Sequence, residues 1–360
     1  MRKVLLAIVV FLILFSSTFS QSFFDIVSNG TPEEVLKAIK AGANVNDQDS
    51  TGLTPLLLAA RDNQNPLVIT ALIKAGADVN ERFSDDWTCD EVVYDDWLSM
   101  LQAARDSQSP EVVAALIKAG AKVYDRNSDG MTPLMFAASN NQNTEVITTL
   151  IKAGAKVNCR DSKGNTPLIF AADNNQNPEV VAALIKAGAK VNDRNSNGAT
   201  PLTCAVYNNY EAITVLIKAG ANINERDSAG VTPLMFAASF NKNIEVITTL
   251  IKAGANVNGR DSWGRTPLIC AANHNQNPEV ISILVKSGAD GKFKDNRGRT
   301  PLMCAADGNQ NPEVITILLK SGADGKLKDN AGKTAFDYAK DNENIKGTPV
   351  YWELNDAQYK

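Results

Sequence analysis

Apolar positions along this chain fall in short clusters separated by polar turns, and the clusters return at nearly constant spacing. A Thr-Pro pair marks each return, at Thr54, Thr132, Thr166, Thr200, Thr232, Thr266 and Thr300, with a worn copy at Thr334. The last five intervals between intact pairs are 34, 34, 32, 34 and 34 residues. After Thr132-Pro133 come Leu134, Phe136, Ala137 and Ala138, and the polar run Asn140 to Asn143 then breaks the chain. Threonine as N-cap with proline at the first helical position predicts a short helix here. Asn177-Pro178-Glu179 predicts a second start, with the glutamate complementing the helix dipole. Val180, Val181, Leu184 and Ile185 lie at i, i+1, i+4 and i+5, which is one face of an amphipathic helix. Lys186 closes that helix, and Gly188 supplies a left-handed C-terminal residue. The stretch 191–198 is polar and turn-rich, and predicts an extended, hairpin-like loop.

A fixed period of this length implies stacked supersecondary units, and a surface built by repetition rather than one deep pocket. Two helices and a protruding turn, carrying T-P-L, A-A, E-V and G-A-x-V-N at these places, resemble the ankyrin repeat family over residues 22–355. The resemblance implies an all-α solenoid of helix-turn-helix units with protruding hairpin loops. It also implies binding of a protein partner rather than catalysis. Three departures stand out. The histidine usual after T-P-L is replaced by Leu57, Met135, Ile169, Thr203, Met235, Ile269 and Met303. The histidine-mediated polar tie between repeats is therefore expected to give way to apolar contact. Most units are one residue longer than the family's usual length, through N-N-Q-N-P. The third unit, 81–124, carries a large insertion.

Ten units fit into residues 21–360 as a single array, which need not split into domains because each repeat contacts only its neighbours. The first, 22–46, is an abbreviated cap: Phe23, Phe24 and Ile26 begin it, and Thr31-Pro32-Glu33-Glu34 opens its second helix. The C-terminal cap is 327–360, where the last unit degenerates to Asn344 and Thr348 to Trp352 predict a final capping helix.

The first 20 residues have the layout of a secretory signal peptide. Arg2 and Lys3 precede twelve apolar residues, Val4 to Phe15, and Thr18 and Ser20 occupy the −3 and −1 positions of a cut. Twelve is too short for an ordinary membrane span, which needs about 20 residues. An exported protein, periplasmic or secreted, is expected, with no membrane span after cleavage. Removing the two bases leaves 34 against 40 acids. An acidic exported chain is a poor partner for nucleic acid or anionic lipid.

Cys204, Cys270 and Cys304 occupy the slot filled elsewhere by Leu58, Phe136, Phe170 and Phe236, a slot expected to face the core. Adjacent units lie about 10 Å apart, one helix diameter, and a disulfide needs Cα atoms within about 7 Å. Buried free thiols are therefore expected. Cys89 and Cys159 lie on loops and could pair only if the insertion folds back.

No phosphate-cradling loop, nucleophile elbow or zinc-helix motif is present, so neither a catalytic residue nor a metal site nor a cofactor is assigned. The single histidine, His274, lacks zinc partners at ligand spacing. Rows of Lys74, Lys118, Lys152, Lys186, Lys218 and Lys252, and of Arg82, Arg126, Arg160, Arg194, Arg226 and Arg260, read as solvated ladders tuned to helix dipoles.

The insertion departs most from repetition. Asp-Asp-Trp occurs twice, at Asp85, Asp86, Trp87 and at Asp95, Asp96, Trp97, with Tyr94 between. Aromatic anchors ringed by charge suit a binding hot spot, and the acids would steer a basic partner. A second candidate strip comes from residues that vary between repeats: Arg61, Tyr207, Phe240 and His274 at first-helix ends, and Trp263 at a hairpin tip. The reading is a monomeric, non-enzymatic scaffold for an unidentified protein partner. The alternatives are an inhibitor or immunity protein for an exported toxin or hydrolase, and a metal-dependent factor using the acidic insertion.

Overall fold

The computed structural model describes residues 23–81 and 99–359, the side chain of Asn208 apart. Residues 1–22, which include the expected signal segment, and Arg82, Cys89 and the insertion residues Asp85, Asp86, Trp87, Tyr94, Asp95, Asp96 and Trp97 lie outside the described residues. Twenty helices and no strand occur among the described residues. The contacts gather into two compact units, Met1–Ala171 with Asn175–Lys190, and Ala172–Asn174 with Val191–Lys360.

The first unit holds helix α1 (23–29), α2 (Pro32–Lys40), α3 (Pro55–Asp62), α4 (Pro66–Lys74), α5 (Ser99–Asp106), α6 (Pro110–Lys118), α7 (Pro133–Asn140), α8 (Thr144–Lys152), α10 (Pro178–Lys186) and all of α9 (Pro167–Asn174) but its last turn, Ala172–Asn174. Within it α3, α5 and α7 pack in one row, and α2, α4, α6, α8 and α10 in another. The second unit holds α11 (Pro201–Asn208), α12 (Tyr210–Lys218), α13 (Pro233–Phe240), α14 (Ile244–Lys252), α15 (Pro267–His274), α16 (Pro278–Lys286), α17 (Pro301–Gly308), α18 (Pro312–Lys320), α19 (Ala335–Ala339) and α20 (Pro349–Ala357). Its odd-numbered helices pack in one row and its even-numbered helices in the other. Each unit is an all-α solenoid stack with protruding hairpin loops.

The caps expected from the sequence form the helix starts. Thr266 Oγ1 accepts from the Ile269 N–H at 3.3 Å, ahead of Pro267, and Asn277 Oδ1 accepts from the Glu279 N–H at 3.0 Å, ahead of Pro278. Gly288 follows α16 at φ 91°, the left-handed conformation a helix end requires. Between these ends Leu268, Ile269, Ala271, Ala272, Val280, Ile281 and Leu284 are at most 1% exposed. Burying each large aliphatic contributes roughly 1.5–3 kcal/mol, and the alanines let neighbouring first helices approach. The 32-residue unit loses its two residues from the inter-helix turn: Asn209 both ends α11 and caps α12.

Two expectations are corrected. Repeats are not joined by apolar contact alone. In the histidine's absence, the second asparagine of N-N-Q-N-P makes the polar tie. Asn175 Nδ2 donates to the Ala138 and Asn141 carbonyls at 2.9 Å each in the first unit. Asn309 Nδ2 donates to Ala272 and Asn275 carbonyls at 2.9 and 3.0 Å in the second. Asn63, Asn141, Asn241, Asn275 and Asn342 repeat this. A second row follows the G-A-x-V-N segment, where Asn258 Nδ2 donates to the Gly288 carbonyl at 2.9 Å and its Oδ1 accepts from Asp290 N–H at 2.9 Å.

The arginine row is not a solvated ladder. Arg226 Nε donates to the Gly230 carbonyl in its own hairpin at 3.2 Å, and its NH2 to the Arg260 carbonyl of the next at 2.7 Å. Arg260 does the same with Gly264 and Lys294, and Arg126 with Gly130 and Arg160. Each planar guanidinium staples two hairpins, a task suited to its fixed fork of donors.

The capping helix expected from Thr348 to Trp352 forms as α20, Pro349–Ala357. It packs on α18 and α19 and is the second helix of the last pair, with Val350 and Leu354 buried.

Candidate functional site

First-helix ends and hairpin tips are positioned by the ties just described. Each tip is bonded to the next: Ser262 N–H donates to the Ala229 carbonyl at 3.0 Å, and Asn296 N–H to the Trp263 carbonyl at 2.9 Å. Asp261, itself buried, accepts from the N–H groups of Trp263 and Arg265 at 2.9 and 2.8 Å. The backbone that carries Trp263 is thus held at three points, while its side chain leaves the residue 52% exposed. Arg265 lies over the indole with its guanidinium carbon 4.6 Å from the ring centroid, and its Nε donates to Asp261 at 2.7 Å.

Four of the five residues singled out in the regular repeats lie in the second unit. Tyr207 and Phe240, each about half exposed, have ring centroids 6.3 Å apart. Phe240 stacks on His274 at 5.8 Å and 23°. Burial, and then the Arg265 charge, lower the His274 pKa below its ordinary value, and Asn273 Nδ2 lies 2.8 Å from its Nε2. The stack Tyr207–Phe240–His274 and the pair Trp263–Arg265 are separate clusters of the second unit, related through the effect of the Arg265 charge on His274. The fifth residue, Arg61, belongs to the first unit. It forms a two-point pair with Asp62, at 2.7 and 2.9 Å, beside Arg105 and Asp106.

The sequence reading missed Phe236, which it assigned to the core-facing slot. The ring is only partly buried and forms the floor of the strip, 5.9 Å from Tyr207 and 5.4 Å from Phe240. Its spacing from Phe240, i to i+4 on α13, was the available signal. Tyr210 was also missed. It lines a shallow groove with Tyr207, Phe240, Lys242, Asn243 and Val246.

The same slot holds the thiols. Cys270 and Cys304 are buried, 3% and 1% exposed, whereas Cys204 is only partly so. All three are free, as is Cys159. Desolvation pushes the Cys204 and Cys304 thiols up to about 12 and Cys270 to about 11. Such thiols are protonated at neutral pH and lack the thiolate that nucleophilic chemistry needs. Among the described residues no cluster of three histidine, cysteine, aspartate or glutamate side chains is arranged to hold a metal ion. No helix among them is long and apolar enough to cross a membrane.

No curated protein matches the chain. Family models do. The model described as ankyrin repeats (3 copies) matches residues 100–195, 143–227, 174–261, 234–329 and 275–347, and the single ankyrin repeat model matches 51–83. Repeats of this kind form scaffolds for protein–protein interaction. These matches span well over half of the sequence and meet the paired, capped helices at the same positions: the chain belongs to the ankyrin repeat family.

Proposed function

We propose that this is an exported, non-enzymatic scaffold that holds a protein partner on the aromatic strip Tyr207–Phe240–His274–Trp263 and on the inserted segment 81–97. The observation that carries the reading is the strip. Tyr207, Phe240 and His274 stand in ring-to-ring contact, and Trp263, about half exposed, stands on a hairpin tip of the same unit, on a backbone held by inter-repeat hydrogen bonds. Large rigid rings contribute contact area at low entropy cost, which is why they dominate binding hot spots. The insertion adds two tryptophans among acids, and regular repeats do not need them for stacking. Export rests on the first 20 residues, with their two bases, apolar run and small residues before Gln21.

Photo-crosslinking tests the reading in cells. A benzophenone amino acid at Tyr207 or Trp263 is expected to capture a discrete protein, and the same group at Lys218, at the far end of a second helix, is not. Equal capture from all three positions would remove the strip as the binding surface. N-terminal sequencing of the fractionated protein, expected to begin at Gln21, tests export separately.

A further inference from the structure

The hairpins of the second unit change character partway along. The residue before the base at the arginine-row position is acidic at Asp193 and Glu225, then becomes Gly259, Phe293 and Leu327. The residue before the capping threonine is Ala199 and Val231, then becomes Arg265, Arg299 and Lys333. Two slots lose acid and gain base in the same three repeats. Segments 256–265, 290–299 and 324–333 together hold nine bases and five acids, leaving ten bases against 13 acids in the rest of residues 191–360.

Asp290 and Asp324 are exposed beside Lys292 and Lys326, whereas the three turn acids add little negative surface. Asp261 and Asp295 are buried and accept backbone N–H groups of their own turns, at 2.8–2.9 Å. Asp329 accepts from Ala331 and Lys333 N–H and from the Tyr338 hydroxyl at 2.6 Å. Several bases are also committed: Arg260 and Lys294 to carbonyls of the next hairpin, Arg265 and Arg299 to their turn aspartates. Lys292, Arg297, Lys326 and Lys328 are exposed, and their side chains make no hydrogen bond or ion pair among the described residues. The tips that carry them are fixed, since Asn330 N–H donates to the Arg297 carbonyl at 3.0 Å. A Cβ on Gly298, at φ 80°, would lie 2.8 Å from Asn330 N.

We propose that the hairpins 291–299 and 325–333, with their free bases Lys292, Arg297, Lys326 and Lys328, are a docking surface for an acidic polypeptide segment, bordering the aromatic strip at Trp263 but sharing none of its rings. Charge complementarity supplies attraction and rate, and the size of the patch selects the class. Successive hairpins are about 10 Å apart, one helix diameter. An extended peptide advances about 3.3 Å per residue, so acids at every third position meet successive hairpins. A long polyanion or an anionic membrane would run past the patch onto the acidic remainder and be repelled within roughly a Debye length, about 8 Å at physiological salt.

The test uses the full mature chain and a fluorescent 12-residue peptide with glutamate at every third position, at about 0.15 M salt. Lys292→Glu/Arg297→Glu/Lys326→Glu/Lys328→Glu is compared with Lys186→Glu/Lys218→Glu/Lys252→Glu/Lys286→Glu, which makes the same total charge change at second-helix ends. The peptide is expected to bind the wild type and the second variant alike and the first at least tenfold more weakly. Phe240→Ala is expected to leave this binding unchanged, so failure here is separable from failure of the strip. If the first variant loses helicity, the four glutamine substitutions replace it. Equal binding to both charge variants overturns the proposal, and so does preferential binding of single-stranded DNA or of phosphatidylglycerol vesicles.

Discussion

Asn275 in the second unit donates its side-chain amide to the carbonyl of Asn241, its counterpart one repeat earlier, at 3.0 Å. The same Nδ2 donates to the Ala238 carbonyl, also at 3.0 Å, and the Oδ1 accepts from the Asn277 N–H at 2.9 Å. One side chain closes the end of the preceding first helix and opens its own second helix. It is 3% exposed, so water cannot replace it. Asn275→Ala is expected to lower stability by about 3 kcal/mol, since an unsatisfied buried polar group costs about 1–3 kcal/mol. Urea denaturation followed by circular dichroism reads this, and a loss below about 1 kcal/mol would show the tie to be redundant.

Truncation of the strip should separate binding from folding. Phe240→Ala and Trp263→Ala remove rings that are about half exposed. Each is expected to change the urea midpoint little and to cost about 2 kcal/mol or more of partner binding. Trp87→Ala and Trp97→Ala are expected to behave likewise. A stability loss of about 3–5 kcal/mol in these last two, the range for a large-to-small core change, would assign the insertion's tryptophans to packing and leave the strip as the binding surface.

The thiols give a chemical check on the stack. Cys270 and Cys304, buried and pushed to about 11 and 12, are expected to react with a thiol reagent only after denaturation. Cys204, partly exposed, should react before them, slowed by its own pKa of about 12. Intact mass after alkylation of the non-reduced protein reads both outcomes, and a Cys270–Cys304 bridge would contradict their placement on successive first helices.

Acidification should act on the strip through His274. Burial and Arg265 lower its folded pKa below the ordinary 6.5. The unfolded chain therefore takes up the proton first as pH falls. The neutral ring's contribution is complete above pH 6.5, declines below it, and levels off once pH drops beneath the folded pKa. An NMR titration of the imidazole should show a midpoint below 6.5, and a midpoint at or above 6.5 would contradict the burial described. His274→Phe should abolish this part of the pH dependence while keeping the stack on Phe240.

The period, the helix starts and the helix ends were all legible in the sequence, because each is set by contacts within a few residues. Thr266 caps Ile269, Asn277 caps Glu279, and Gly288 needs only its own φ. The buried positions of α15 and α16 followed from the same local periodicity. What holds one repeat to the next was not legible. Asn275 and Arg260 look like polar surface residues until their partners, carbonyls 34 to 37 residues away, are placed beside them. Backbone carbonyls carry no residue identity, so no pattern of side chains could announce them. The candidate site divides in the same way. Tyr207, Phe240, Trp263 and His274 were conspicuous singly, as aromatic residues where water was expected. The contiguity of Tyr207, Phe240 and His274, and the floor that Phe236 provides, arose only when stacking brought residues 33 and 34 positions apart within ring contact.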